Sequence, residues 1–143
     1  MEKPRVLFLC TGNSARSQMA EAFLRKYADD QFEVHSAGLD PTVINPYTVK
    51  VLEEIGIDTS KHFAKPLKTY LGNTHFSYLI TVCSKAEERC PMFPGMGKRL
   101  HWPFEDPAAF EGSDEETAEK FREIRDQIET KVQSLLTALE QES

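Results

Sequence analysis

A chain of 143 residues is long enough for one domain with a substantial hydrophobic core but too short for two, so we expect a single domain spanning residues 1–143. Its net charge of −6 argues against a nucleic-acid partner, because binding to a phosphate backbone requires a basic face. No apolar stretch reaches membrane-spanning length and no signal or transit peptide is recognisable. These features predict a cytoplasmic protein without a membrane partner, and we expect a monomer.

Strands and helices alternate in the predicted fold. Apolar runs separated by amphipathic segments are typical of an α/β domain whose parallel sheet is covered by helices on both faces. The four predicted strands are, in chain order, 5–9, 32–37, 78–82 and 98–102. The third is apolar enough to be a central strand.

The predicted helices lie between and after these strands. The first buries a stripe made of Met19, Ala20, Ala22, Phe23 and Tyr27. The second begins at Asn45-Pro46 and ends at Gly56, with Val49, Leu52 and Ile55 on one face. A short helix is predicted at 65–71. The last spans about 114–139 and packs on the sheet, before a frayed tail at 140–143. Its apolar face consists of Phe121, Ile124, Ile128, Val132, Leu135 and Leu139.

The three cysteines are an odd number, which argues against a structural disulfide framework in a reducing cytosol. A closed zinc site needs four ligands, and the four histidines are not at ligand spacing. The sequence therefore predicts no metal site and no bound cofactor.

The loop between the first strand and the first helix is the most informative segment. It consists of Cys10, Thr11, Gly12, Asn13, Ser14, Ala15, Arg16 and Ser17. The Cys-x5-Arg spacing lets backbone N–H groups converge above the Cys10 sulfur, while the Arg16 guanidinium closes that space. Such an arrangement at a helix N-terminus binds a tetrahedral oxyanion. The helix dipole and Arg16 both favour the thiolate form of Cys10, which is therefore the predicted nucleophile. The alternative, a cysteine buried as a small hydrophobe, does not suit the polar residues that follow it.

A departing oxygen needs a proton from a positioned acid, and the segment Phe104-Glu105-Asp106-Pro107 offers two carboxyl groups. Pro107 restricts Asp106 to extended backbone conformations, which directs its side chain from the loop. Asp106 is therefore the predicted general acid and Glu105 its rival; the alternative is a solvated acidic turn. This loop follows the fourth strand and returns to the sheet edge that carries Cys10.

Cys83 follows the third predicted strand at the same sheet edge, so we expect it to lie near Cys10. The residues between Cys83 and Cys90 are small or charged, which is typical of an exposed turn or two of helix. An intact helix would hold these two cysteines too far apart to bond, since a disulfide requires Cα atoms within about 7 Å. Unwinding would allow the bond, and the next stretch tolerates such a change because it contains Pro91, Pro94, Gly95 and Gly97. Considered without Cys10, the pair is more simply interpreted as two unrelated thiols.

Several separated motifs together resemble the thioredoxin-coupled arsenate reductases, a family that shares its fold and anion loop with the low-molecular-weight protein tyrosine phosphatases. The motifs are the segment 10–21, Ser36-Ala37-Gly38, the Cys83/Cys90 pair and Trp102-x-Phe104-x-Asp106-Pro107. They cover almost the whole chain in the family's order. The anion loop alone would not separate a reductase from a phosphatase, but the cysteine pair does.

The resemblance implies a role for each cysteine. Cys10 would attack arsenate held by the loop amides and Arg16, while Asp106 protonates the departing oxygen. Cys83 would attack the Cys10 sulfur, releasing arsenite and leaving a Cys10–Cys83 disulfide. Cys90 would then attack Cys83 and form a Cys83–Cys90 disulfide, which thioredoxin would reduce. Asn13 and Ser17 would orient the loop and stabilise the thiolate.

The chain departs from the family at two places. Position 15 is Ala, where relatives often carry another cysteine that the relay does not require. Asn13, Glu21 and Ser36 match groups that hold a monovalent cation in some members, but the further ligands are replaced by Phe63 and Lys65. The resemblance therefore does not predict a cation site, and the Lys65 ammonium could take the place of the cation.

Two other functions remain open on the sequence. A phosphotyrosine or small-phosphate phosphatase would need only Cys10, Arg16 and Asp106. Such phosphatases usually place aromatic residues after the Asp-Pro step, where this chain has Ala108-Ala109, although Phe110 is near. A non-catalytic redox sensor would use its disulfide to alter binding to a partner, but nothing in the sequence supplies the partner surface.

Overall fold

Four parallel strands form the single sheet of the computed structural model, which describes residues 3–70, 74–89 and 96–142. The strands are β1 (Arg5–Cys10), β2 (Glu33–Gly38), β3 (Phe76–Thr81) and β4 (Met96–His101). Their order is β2-β1-β3-β4, so β1 and the predicted central strand β3 are both interior. The chain leaves β1 toward β2 on one side and later returns to β3 on the other. Ligands bind beyond the carboxyl ends of the strands at such a reversal of strand order.

The helices are α1 (Arg16–Ala28), α2 (Pro46–Glu53), α3 (Ser84–Arg89) and α4 (Asp114–Glu142). The crossovers β1–α1–β2 and β3–α3–β4 run in opposite directions across the sheet. Because such crossovers are right-handed, α1 and α3 cover opposite faces, as the sequence predicts. Both α1 and α2 contact α4. None of the described helices is both long enough and apolar enough to cross a bilayer.

The helix boundaries and faces depart from prediction at several places. Tyr27 is exposed and donates a hydrogen bond to Glu129, while Leu24 and Ala28 are buried in its place. On α2, Leu52 of the predicted face is buried and Ile55 packs against the core, but Thr48 and Val51 are buried while Val49 is only half-buried. The apolar face of α4 packs beside α1 and α2. Its last turns do not fray at residue 140, because Leu135, Leu136 and Leu139 still pack against the core.

Two shorter segments also differ from the sequence expectation. The predicted helix at 65–71 is a single 3-10 turn, Leu67–Thr69, within the described part. Gly97, predicted to belong to a stretch that tolerates unwinding, lies inside β4. A Cβ at this position would come 2.4 Å from the Ser77 carbonyl oxygen, so glycine allows β4 to pair closely with β3. Pro91, Pro94 and Gly95 lie outside the described residues.

Candidate active site

The anion loop connects the carboxyl end of β1 to the first residue of α1, Arg16. Cys10 is the last residue of β1 and is 3% exposed. Its Sγ accepts a hydrogen bond from the Asn13 backbone N–H at 3.2 Å and lies 3.0 Å from Ser17 Oγ. Asn13 has φ 52°, a left-handed conformation that Asn tolerates better than most side chains. The turn at Asn13 thus brings an N–H donor back to the sulfur three residues earlier.

The side chain of Asn13 orients the hydroxyl groups around the loop. Its Nδ2 donates to Ser17 Oγ at 2.8 Å and to Ser36 Oγ at 3.0 Å. Since Ser17 Oγ accepts from Asn13, its single proton is available for the Cys10 sulfur. Ser36 Oγ donates in the same way to Glu21. The Asn13 N–H and the Ser17 hydroxyl can therefore both donate hydrogen bonds to the Cys10 sulfur.

A buried charge pair lies behind this network. Glu21 is 3% exposed, and its Oε1 lies 3.7 Å from Lys65 Nζ. Its other oxygen lies 3.2 Å from Arg25. The Lys65 backbone N–H donates to Asn13 Oδ1 at 2.8 Å, so Lys65 contacts both ends of the network. Burial lowers the pKa of Lys65, while the Glu21 carboxylate opposes the shift. The Lys65 ammonium thus lies beside the groups that the resemblance associates with a cation.

Gln18 and His62 complete the support of the loop, and sequence reasoning missed both. Gln18 Nε2 donates to the carbonyl oxygens of Asn13 and Phe63. Its Oε1 lies 2.9 Å from His62 Nδ1, so that ring nitrogen carries the proton. Burial lowers the pKa of His62, which favours a neutral imidazole. Only the position of Gln18 within the 10–21 motif could have signalled this role.

The structure brings Asp106, and not Glu105, to Arg16. Asp106 Oδ2 lies 3.7 Å from the Arg16 guanidinium, which also donates to the Phe104 carbonyl oxygen at 3.0 Å. The other oxygen of Asp106 accepts from the Ala108 backbone N–H at 2.9 Å, because Asp106 caps the turn that begins at Pro107. Glu105 pairs instead with Lys120 of α4 at 2.6 Å.

Cys83 lies against the anion loop, as its place after β3 predicts. Val82 N–H donates to the Leu9 carbonyl oxygen, which aligns the two strand ends. Cys83 Sγ lies 3.4 Å from Thr11 Oγ1 and accepts from the Ala86 N–H at 3.4 Å. Cys83 is 3% exposed, and both Cys10 and Cys83 are free thiols. Cys90 lies outside the described residues.

The groove beside β2 is separate from the anion loop. A groove of about 620 Å³ runs along β2, lined by Lys3, Arg25, Ile57 and His62 among others, and contains no residue of the segment 10–17. A tetrahedral oxyanion needs only a cradle of N–H groups at a helix N-terminus. No group of three or more His, Cys, Asp or Glu residues suited to a metal ion occurs within 3–70, 74–89 and 96–142.

Comparison with known proteins shows the family of this chain. The family described as low molecular weight phosphotyrosine protein phosphatase matches residues 5–143. The chain belongs to this family. An arsenate reductase of Bacillus subtilis is 41% identical over 128 residues, which are 90% of this chain and 91% of that protein. One from Shouchella clausii is 42% identical over 132 residues, covering 92% of this chain and 94% of the relative. Within the family the chain therefore groups with the arsenate reductases.

Solved structures give the same grouping. An arsenate reductase in the phosphate binding state superposes with a TM-score of 0.79 at 29% identity, covering 94% of this chain and 98% of the other. A thioredoxin-dependent arsenate reductase of Corynebacterium glutamicum has a TM-score of 0.74 at 34% identity, covering 99% of this chain and 64% of the other. A tyrosine phosphatase of Erwinia amylovora, at 21% identity and a TM-score of 0.73, shares the fold alone.

Proposed function

We propose that this protein reduces arsenate to arsenite by a relay of Cys10, Cys83 and Cys90, with thioredoxin as the final electron donor. The observation that carries the proposal is the place of Cys83. Its buried sulfur contacts Thr11, the residue that follows the nucleophile, at the mouth of the anion loop. A phosphatase regenerates its thiolate with water, so its reaction does not need a second thiol at this point, although such a thiol could serve as redox protection. The relatives named arsenate reductase support the substrate assignment.

The first step is attack of the Cys10 thiolate on the arsenic of bound arsenate. Amides of residues 11–17 and the Arg16 guanidinium bind the oxyanion. Arg16 begins α1, so the helix N-terminus adds its partial positive charge. A sulfur–arsenic bond forms and one arsenic–oxygen bond breaks. Asp106, held beside Arg16, donates the proton that lets this oxygen leave as water.

The second step is the reduction itself. The Cys83 thiolate attacks the Cys10 sulfur and breaks its bond to arsenic, whose electron pair stays on arsenic. Arsenic(V) becomes arsenic(III), arsenite departs, and the two thiols become a Cys10–Cys83 disulfide. The Ala86 N–H donates to Cys83 Sγ, and the Thr11 hydroxyl lies 3.4 Å from the same sulfur, so both groups orient the attacking atom.

The third step returns Cys10 to its thiolate form. Cys90 attacks Cys83, forms a Cys83–Cys90 disulfide and expels the Cys10 thiolate. Seven residues of an intact helix span about 10 Å, which exceeds the reach of a disulfide. Helix α3, which occupies the whole segment 84–89 between these cysteines, must therefore open in this step. Thioredoxin then supplies two electrons through its own thiols, which requires a reducing compartment such as the cytoplasm.

The reaction needs no further cofactor in this proposal. The Lys65 ammonium neutralises Glu21 at the point where a monovalent cation would otherwise act. The hydrogen bonds from Glu21 through Ser36 to Asn13 then hold without an added ion.

The decisive experiment follows thioredoxin oxidation by the purified protein with arsenate, for the unaltered chain, Cys83→Ser and Cys90→Ser. Both variants should lose turnover, since each removes a thiol that accepts the disulfide. Mass mapping after arsenate treatment should find a trapped Cys10–Cys83 disulfide in Cys90→Ser and none in Cys83→Ser. Ser84→Ala, next to Cys83 on the exposed start of α3, is the matched control and should turn over normally.

Hydrolysis of a small aryl phosphate distinguishes the competing function. It should survive both cysteine substitutions, because neither residue belongs to the anion loop. If both variants kept full thioredoxin-linked arsenate turnover while hydrolysing the phosphate, the relay would be wrong and the protein would be a phosphatase.

A further inference from the structure

The carboxylate of Glu87 connects helix α3 to the ends of two strands of the sheet. Glu87 Oε2 accepts a hydrogen bond from Thr81 Oγ1, at the end of β3. Its Oε1 lies 3.3 Å from the Arg99 guanidinium, which also donates to the Glu87 backbone oxygen at 2.7 Å. His101 Nδ1 lies 2.8 Å from Thr81 Oγ1 and 3.6 Å from Glu87 Oε2. We call Glu87, Thr81, Arg99 and His101 the helix latch.

The latch is half-buried, and the donor and acceptor of its hydrogen bonds can be assigned. Thr81 is buried, and its hydroxyl has one proton, which goes to Glu87. His101 Nδ1 is then the donor toward the Thr81 oxygen. The Thr81 hydrogen bond and the charge of Arg99 lower the pKa of Glu87, so its carboxylate is ionised at neutral pH. The contacts of Glu87 with Thr81 and Arg99 therefore stabilise α3 in its folded position.

A second attachment lies at the end of α3. Arg89, its last residue, pairs with Asp40 at 2.6 Å. The Asp40 backbone N–H donates to the Thr11 carbonyl oxygen, so this pair connects α3 to the anion loop. Both side chains are more than half exposed, and salt weakens such a pair. The latch at Glu87 is therefore the stronger of the two attachments.

We propose that the helix latch sets the reduction potential of the Cys83/Cys90 pair by stabilising the dithiol form, in which α3 is folded. This inference rests on the proposed relay, where α3 opens to form the Cys83–Cys90 disulfide. Contacts present in one state and absent in the other shift the equilibrium toward the state that has them. The latch thus makes the disulfide easier to reduce, which favours electron transfer from thioredoxin.

The test measures the thiol–disulfide equilibrium of Cys83 and Cys90 against dithiothreitol, in full-length protein carrying Cys10→Ser. Dithiothreitol supplies two electrons and two protons and is oxidised to its cyclic disulfide. Glu87→Gln removes the charge of the latch while keeping size and helix propensity. It should lower the equilibrium constant for reduction about tenfold, equal to a potential about 30 mV more negative. Glu88→Gln, the same change at the exposed next residue, should stay within about twofold of the parent.

Each outcome of this experiment has a separate meaning. If the parent forms no Cys83–Cys90 disulfide at any dithiothreitol ratio, the relay fails and the latch inference fails with it. If the disulfide forms but Glu87→Gln and Glu88→Gln give the same constant, the latch is overturned and the relay stands. Arg99→Gln removes the same ion pair from β4 and should shift the constant in the same direction, which keeps the test decisive should Glu87→Gln not fold. With Cys10 intact, Glu87→Gln should hydrolyse an aryl phosphate at the parent rate.

Discussion

At the scale of single residues, the local backbone conformation gives the side chains of Asn13 and Asp106 their roles. Asn13 adopts a positive φ, so its N–H meets the Cys10 sulfur while its carboxamide reaches Ser17 and Ser36. Asp106 is held by the turn at Pro107, which leaves one carboxylate oxygen facing Arg16. Glu105, one residue earlier, faces α4 instead.

The choice between the two carboxylates can be tested directly. Asp106→Asn should lower the rate of arsenate turnover by about 10²–10⁴-fold, the usual contribution of a positioned proton donor. Anion binding should persist, because the loop amides and Arg16 are untouched. Steady-state kinetics with Glu105→Gln as the matched control should show little change. A larger loss from the control would mean that the wrong carboxylate has been assigned.

At the scale of elements, the end of β2 determines how closely the anion loop can approach the sheet. A Cβ on Gly38 would lie 2.7 Å from the Thr11 carbonyl oxygen and 2.9 Å from the Asn13 nitrogen. Both are backbone atoms of the anion loop and cannot move independently of it. Gly38 also pairs with Cys10 in the sheet register. The glycine of the Ser36-Ala37-Gly38 motif is thus required by this close contact.

Gly38→Ala should therefore displace the loop. We expect a loss of about 1–3 kcal/mol in the free energy of unfolding and of about 10²-fold in arsenate turnover, since small displacements of a reacting group are costly. Gly56→Ala is an informative control, because Gly56 has φ +85° but a Cβ added there would meet no atom within 4 Å. It should cost stability through backbone strain alone. Urea unfolding and steady-state assays on both variants test this account. Full activity of Gly38→Ala would contradict it.

At the scale of the whole molecule, α4 is joined to the rest of the domain by charge as well as by its apolar face. Glu54, at the end of α2, contacts Arg122 at 2.7 Å and Arg125 at 3.1 Å. Arg125 also donates to the Val51 carbonyl oxygen. The hydrogen bond from Arg122 is the main reason that the pKa of Glu54 lies below its ordinary value of 4.5.

The direction of this shift predicts a pH dependence of stability. A carboxyl group whose pKa is lower in the folded state stabilises the fold fully above its unfolded pKa. That contribution is lost as the pH falls through the folded-state pKa. Glu54→Gln should therefore lower the urea midpoint at pH 7, and its difference from the parent should shrink below about pH 4.5. The control Glu111→Gln, at an exposed position, should leave the urea midpoint unchanged both at pH 7 and below about pH 4.5. If Glu54→Gln lowered the urea midpoint equally at all pH values, the charge explanation would be ruled out.

The strand pattern, the strand–loop–helix around Cys10 and the capped start of α2 could all be predicted from the sequence. Each depends on residues close together in the chain: an apolar run, a Cys-x5-Arg spacing, an Asn-Pro pair. Asn45 does cap α2, accepting from the Tyr47 N–H at 2.8 Å. The ends of elements were less predictable, as at Gly97 and at residue 140, because packing against other elements decides them.

Apart from the approach of Cys83 and Asp106 to the sheet edge that carries Cys10, only the tertiary structure decided which distant side chains meet. Parallel register places Gly38 beside Cys10, and this brings Ser36 and the Lys65 backbone to Asn13. The alignment of β1 with β3 brings Cys83 to Thr11, across 72 positions in the chain. Hydrogen bonds and ion pairs act over a few ångströms, whereas sequence patterns report only which face of an element is apolar. Short sequence motifs therefore determine the local chemistry of this protein. The order and register of the sheet determine how these motifs come together in one site.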